Sequence, residues 1–444
     1  MLQTAQPAVA AHTPVLTKPW YAYYVLAVLT LCYVLNTVDR SQILASSLQA
    51  IKKEFAASDF QMGVLTGIPF ALFYSIMGIP IAAWADRASR RNVLAIAVAS
   101  WSAMTAVFGM SVNYAMLFAA RVGTAVGEAG GSPPSHSLIS DYFPKKRRGT
   151  AFSIFALGVP IGSSLGALIG GWGNENIGWR MTFILAGVPG LVMALMLFLT
   201  VKEPPRGLSD GVSRAVADRT PVPGMFEVLH ALWQRRSFRH LTLAAALHSV
   251  VWYAGSAFNN AFLQRSHHMS VAEAGYWIAV LSIIGGAGTF LGGFAADRLS
   301  TRFNDRRWYL WVPGIATLLC VPFQFTAYLS PDRAVMLPSF VGLMFMAAVF
   351  FGPSFAMTQA LATLRMRSVA TSLLLFIQTL IGNGLGPSIT GLISDRLAPS
   401  LQQNSLRYAL VAIGIVNVWA ALHYLLSSRT VRQDLEATER LATA

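Results

Sequence analysis

Twelve mostly apolar runs alternate with short polar connections along this chain, at 20–45, 60–85, 93–110, 114–140, 152–172, 181–201, 241–263, 274–296, 308–329, 335–356, 369–393 and 408–426. At 1.5 Å per residue, runs of roughly 20 residues cross the ~30 Å hydrocarbon core of a bilayer as helices. The predicted fold class is an all-α membrane protein of twelve transmembrane helices. The longest polar stretch, 202–240, follows the sixth run and divides the chain into two six-helix bundles, 20–201 and 241–427. Residues 1–19 are expected to be a disordered N-terminus and 428–444 a polar tail. The halves echo each other: Ala85-Asp86-Arg87 closes the second run and Ala296-Asp297-Arg298 closes the eighth. Runs five and eleven are both glycine-rich, with Gly158, Gly162, Gly166, Gly170 and Gly171 against Gly382, Gly384, Gly386 and Gly391, and small residues let helix backbones approach closely. Parallel duplicated halves place a site between them near mid-membrane, the arrangement of a rocking secondary transporter.

Charge sharpens this picture. Only 12% of the 444 residues are charged, against about 25% in soluble domains, so the composition belongs to the membrane class. The net charge of +14 comes from basic residues in short tracts between apolar runs, not from a stripe interleaved with stacking aromatics, which argues against a nucleic-acid partner. Of 33 Lys and Arg, 24 fall on the side of the termini and seven on the other, which predicts both termini in the cytoplasm. Arg40 and Arg121 alone lie within the runs. Cys32 and Cys320 sit in apolar runs as packing residues. The N-terminus lacks the basic region and short apolar core of a signal peptide.

Chemistry concentrates in runs one and four. In the fourth, Arg121 and Glu128 are seven residues apart and project from one helix face, about 10 Å apart along the axis. An isolated charge at the bilayer centre costs at least ~2.5–3.5 kcal/mol, so these residues face a cavity or each other. Asp39-Arg40 adds a second charged pair in run one. The alternative is a static buried salt-bridge network fixing run one against run four. Asp86, Arg87, Arg90 and Arg91 after run two, Asp141 and Arg148 around the end of run four, and Asp297 and Arg298 after run eight are candidates for a gate on the side of the termini. An aspartate at such a helix end pairs with arginines or with a neighbouring helix N-terminus.

Other chemistries find no support. His248, His267 and His268 lack metal-ligand spacing, so no metal is expected. No Walker-type Gly-Lys-Ser/Thr motif is present, which removes ATP as the energy source. No nucleophile elbow or paired helical metal motif points to an enzyme. No cofactor is expected; protons are the candidate coupling ion.

The Asp86-Arg87-x-x-Arg90-Arg91 loop resembles the signature loop of the major facilitator superfamily, with Ala85 and Ser89 departing from its commonest form. Within that superfamily, three stretches resemble the Spinster family of lipid transporters. They are Asn36-Thr-Val-Asp39-Arg40; Arg121 with Gly127-Glu128-Ala129, Pro134 and Ser140-Asp141-Tyr142-Phe143; and Pro160-x-Gly162-Ser163-x-Leu165-Gly166. The resemblance implies a major facilitator fold whose first, fourth, seventh and tenth helices line a central cavity. Asn36, Asp39, Arg40, Arg121 and Glu128 would then meet there. Arg40 and Arg121 would hold an anionic head group, with Glu128 as the titrating carboxylate. The implied substrate is a lysolipid-like amphiphile, moved by alternating access through a monomer in the inner membrane. Trp252, Tyr253, Asn259, Asn260, Gln359, Gln378 and Asn383 offer further hydrogen bonds, or simply pack helices. Phe345, Met346, Phe350, Phe351, Phe355 and Met357 suit either an acyl chain or a lipid-facing surface. A transporter of small organic anions, such as a sugar acid or carboxylate, and an uncoupled lipid scramblase are the competing functions.

Overall fold

The computed structural model describes residues 18–205, 225–363 and 366–443. Residues 1–17 of the expected leader at 1–19 and 206–224 of the linker at 202–240 lie outside these described residues. Ten helical stretches are long and apolar enough to cross a membrane. The last of them, Val369–Arg440, turns back at Gln402–Asn404 and supplies two crossings, and the broken helix at 114–142 supplies the twelfth. In chain order these are α1 (Pro19–Glu54), α2 (Asp59–Arg87), α3 (Arg90–Gly109), α4 (Tyr114–Ala129 with Ser132–Tyr142), α5 (Lys145–Ala156 with Gly158–Asn176) and α6 (Gly178–Thr200). After a short helix at Met225–Trp233 come α7 (Arg236–His267), α8 (Val271–Phe303), α9 (Trp308–Leu329), α10 (Arg333–Ala360), α11 (Arg367–Ile377 continuing through Leu401) and α12 (Ser405–Gly414 with Val416–Thr443).

Local sequence sets the ends. Ser58 caps α2 reciprocally with Gln61, Ser89 accepts from the Asn92 N–H at the start of α3, and Asn113 accepts from Met116 at the start of α4. His268 and Asn304 close α7 and α8 in the left-handed conformation. Several helices outrun their apolar segments: α1 ends at Glu54, α7 begins at Arg236 and α12 continues to Thr443. Hydropathy sees only the hydrocarbon slice, whereas the backbone hydrogen-bond ladder continues into water.

Wide π-helical turns interrupt three helices, at Val38–Gln42 in α1, Phe70–Tyr74 in α2 and Gln378–Asn383 in α11. Each lies near the middle of its helix. Such turns carry one extra residue and release backbone groups from the regular ladder, which is why they gather at functional sites.

Packing divides the molecule by depth. At the face opposite the termini, one continuous apolar core joins both halves, with Ile43, Leu48, Phe108 and Trp179 from the first and Phe258, Phe262, Tyr328 and Phe340 from the second. At the terminal face each half has its own core, around Leu29, Trp101 and Phe155 in one and Phe238, Leu374 and Tyr424 in the other. Glycines set the seams. A methyl group on Gly162 would strike the Val34 carbonyl of α1, one on Gly275 the Ala167 carbonyl of α5, and one on Gly391 the Asp59 carbonyl of α2. The far parts of α2 and α5 thus close on α11 and α8 across the two halves.

Candidate functional site at mid-membrane

The π turn of α1 brings Asp39 and Arg40 to the level of Glu128, midway along α4. Arg40 Nε donates to Glu128 Oε2 at 2.9 Å. Glu128 is wholly buried, whereas a third of the Arg40 side chain is exposed, so Arg40 is the accessible member of the pair. Arg121, also buried, donates through Nη2 to the Arg40 carbonyl within the widened turn. That bond uses a backbone acceptor at the π turn and ties α4 to α1.

Aromatic rings from the second π turn complete the setting. The Arg40 guanidinium lies 4.6 Å from the Phe70 ring and 4.8 Å from the Tyr74 ring, and Arg121 lies 5.1 Å from Phe70. Stacking on two ring faces holds an arginine in place without consuming its outward N–H groups. Asn36, one turn before the π turn, neighbours Glu128, and Tyr253 of α7 faces Arg40 from the other half.

Asp39 is 3% exposed and its neighbour is the Thr105 hydroxyl of α3 at 3.5 Å. Depth alone allows an Asp39–Arg121 pair, but among the described residues no ion pair joins them; the carboxylate that pairs is Glu128, and its partner is Arg40. The extra residue of the π turn rotates the register of α1, a geometry that regular helical spacing does not anticipate. One oxygen each of Asp39 and Glu128 has no hydrogen-bond partner among the described residues. Gly127 makes the approach possible, since a side chain there would strike the Trp101 backbone of α3.

The expected gate residues all lie at the terminal face. Arg90, buried, pairs with Asp141 and donates to Glu203 Oε1 at 2.8 Å, Ser137 at 2.9 Å and the Pro204 carbonyl at 2.8 Å. The Arg91 N–H donates to Glu203 at 2.8 Å, and Arg148 donates to the Ser140 carbonyl at 2.7 Å. These bonds bind α3, α4, α5 and the exit of α6 together within one half. Burial, which by itself would raise the Glu203 carboxyl, is outweighed by the Arg91 N–H and the Arg90 guanidinium, leaving it below its usual range. Asp86 and Arg87 are exposed at the end of α2; Asp297 and Arg298 are exposed at the matching end of α8, where Tyr309 donates to Asp297 at 2.5 Å.

A second charged cluster, which the sequence pattern does not announce, closes the opposite face. Asp59 accepts two bonds from Arg265 of α7 at 2.7 and 2.6 Å, one from Lys52 at 2.7 Å and one from Ser394 of α11 at 2.7 Å. The Asp395 carboxylate takes the first two N–H groups of α2 at 2.9 and 2.8 Å, an anion at a helix N-terminus. Glu175 of α5 likewise accepts from the Ala272 N–H of α8 at 2.7 Å. Loop-edge charges carry no periodic signal; the Ser58-Asp59 cap alone marks the place. Phe70 and Tyr74 are equally hidden, as aromatics in an apolar run.

Two six-helix halves joined at one face, with charge held at mid-membrane in the first of them, define a multi-pass membrane transporter of a small molecule. The chain belongs to the Major Facilitator Superfamily, whose family model matches residues 29–387, and within it is Spinster-like. It is similar to the crystal structure of a bacterial homolog to the human lysosomal transporter Spinster in an inward-facing, unoccupied conformation. The TM-score is 0.84 and the identity 34%, over 93% of this chain and 98% of that one. It is 32% identical to an MFS-type efflux pump of Mycolicibacterium smegmatis, over 94% of this chain and 95% of the relative. A probable L-galactonate transporter of Escherichia coli is 26% identical over 90% of this chain and 88% of its own.

Proposed function

We propose that this protein moves a lysolipid-like, anionic or zwitterionic amphiphile across a bacterial inner membrane by alternating access coupled to protons, with the terminal face in the cytoplasm. The observation that carries this reading is the Arg40–Glu128 pair: a fully buried carboxylate holds a mid-membrane cation that is partly exposed. The same guanidinium cannot serve Glu128 and a phosphate or carboxylate ligand equally well. A proton on Glu128 removes its charge and releases Arg40, which stays stacked on Phe70 and Tyr74 as a seat for an anionic head group. Proton and anion therefore bind together, and loss of the proton returns Arg40 to Glu128 and expels the anion. Arg121 keeps the π turn open throughout by holding the Arg40 carbonyl.

The apolar tail of the amphiphile would lie against the second half, where Trp252 and Phe351 meet edge to face at 5.7 Å and the Phe350 and Phe351 rings lie tilted at 4.2 Å. Separate cores at the terminal face support a form open to the cytoplasm, as in the inward-facing relative. Opening to the other side then requires the Asp59–Arg265 cluster to part, while the Asp86, Arg87, Asp297 and Arg298 ends close as the inner gate. The decisive experiment is movement of labelled lysophospholipid in proteoliposomes, wild type against Glu128→Gln, with and without an imposed pH gradient. Gradient-driven movement that disappears in the variant is expected. Similarity to galactonate transporters favours a second reading, a small sugar acid on the same arginines. Galactonate uptake with no lysolipid movement by folded wild type would select it.

A further inference from the structure

At the terminal face of the second half lies a cavity of about 550 Å³ that is separate from the mid-membrane charges. Its walls come from the start of α9, the end of α10, the start of α11 and the extension of α12. Two arginines, Arg306 and Arg367, and one carboxylate, Glu439, line it with the neutral polar groups of Tyr309, Gln359, Thr363 and Thr438, and Met357 and Leu435 supply apolar wall. We propose that this cavity binds the phosphate head group of an anionic phospholipid from the adjacent leaflet.

Three observations converge on that ligand. First, the cations are available. Arg307 and Arg432 are both taken by Asp305, at 2.8 and 2.9 Å, and the Arg307 and Arg432 bonds outweigh the effect of burial to hold that carboxyl at about 2. Arg367 has no ion-pair partner among the described residues, and Arg306 has only a loose contact with Glu439 at 3.9 Å. Two arginine forks around one cavity suit a tetrahedral phosphate, which accepts paired N–H bonds. Second, the level is right. Trp308, Tyr309 and Trp311 cluster at the start of α9, with the Trp308 and Trp311 rings 5.1 Å apart, and tryptophan and tyrosine gather at the head-group boundary. Trp20, Tyr21 and Tyr24 mark the same level on α1. Third, the cavity is mixed in character and roomy: basic pockets between membrane helices on the cytoplasmic side hold lipid phosphates, and the apolar wall accommodates the glycerol end of a lipid.

The site is built by a packed collar. Val228 and Leu232 of the short helix pack with Leu361 of α10 and Val431 and Leu435 of α12, and Arg235 donates to the Leu361 carbonyl and to Thr438. A bound lipid would bridge Thr363 and Arg367 to Thr438 of the α12 extension and stiffen that collar.

Native mass spectrometry of the full chain, released from detergent with phosphatidylglycerol or phosphatidylcholine, tests the proposal. Wild type is expected to retain phosphatidylglycerol selectively, and Arg306→Gln with Arg367→Gln to weaken retention roughly thirtyfold, from the effect of two cations near a charged surface. Both arginines are exposed, so this variant should fold, and its melting temperature without added lipid checks that it does. Arg429→Gln, an exposed arginine outside the cavity, should leave retention unchanged. Equal retention by wild type and the double variant, or equal loss in the Arg429 control, overturns the proposal. Competition by glycerol 3-phosphate as strong as by phosphatidylglycerol would keep a phosphate site but overturn the lipid as its occupant.

Discussion

The two halves share one architecture and divide the chemistry unequally. The first half carries Asp39, Arg40, Arg121 and Glu128 at mid-membrane. Among the described residues, the second places no charged side chain at that depth. Its buried polar groups are neutral: His248 meets Asn417 at 2.8 Å and the Ala347 carbonyl at 2.9 Å, Gln324 donates to the Leu410 carbonyl at 2.9 Å, and Tyr328 donates to Asn259 at 2.6 Å. Neutral hydrogen bonds between α7, α9, α10 and α12 fix that half as a rigid wall. Charge belongs to the first half, which in the proposed mechanism is the half that responds to a proton. Pseudo-symmetry here preserves the frame and leaves one side free to specialise.

The contrast is most exposed at Arg40. Arg40→Ala leaves Glu128 buried without its partner, which should cost about 3–5 kcal/mol and abolish transport, read as a lowered thermal midpoint and as uptake at the level of empty liposomes. Glu128→Gln should retain the fold and lose only the gradient dependence. Asp59→Asn comes next, because it weakens a seal shared by both halves and leaves Arg265 and Lys52 facing each other. Labelling of a cysteine placed at Ser46 by a membrane-impermeant maleimide from the opposite face should accelerate several-fold; an unchanged rate would show that the apolar core alone keeps that face shut.

In the second half, His248→Leu should lower stability by about 1–3 kcal/mol, through the stranded Asn417 and Ala347 groups, while the KM for substrate stays unchanged. A large rise in KM would move substrate recognition into the wall. The smallest effect belongs to Glu203. Its carboxyl titrates lower in the folded chain than its ordinary 4.5, so its stabilisation is present above that pH and is lost as pH falls through the depressed value. Glu203→Gln should therefore lower stability at pH 7 by on the order of 1 kcal/mol, read as a lower melting temperature, and the gap to wild type should close in acid.

Apolar length makes the twelve crossings legible, and charge inside an apolar run points to the four mid-membrane residues. Which of them pair is not legible, because the π turn at Val38–Gln42 shifts the facing of Asp39 and Arg40 by a residue that no pattern of hydropathy carries. Phe70 and Tyr74 are invisible for a related reason: an aromatic beneath an arginine reads like any aromatic in lipid. Asp59, Arg265 and Asp395 sit at helix ends, where charge is ordinary, and only the fold reveals that three distant segments bring them together. The glycines of runs five and eleven announce close approach, and the structure adds that Gly171 and Gly391 lie on the seam between halves.

The unequal distribution of apolar cores has a consequence for how the protein is made. At the terminal face each half completes a core from its own residues, but Phe258 and Phe262 have Leu48 and Trp179 as members of one shared core at the other end. A half produced alone would leave the membrane insertion machinery with one finished end and one raw apolar end. Two fragments encoded separately, divided within 206–224, should thus be degraded when either is synthesised by itself and recovered as a pair when both are synthesised in the same cell.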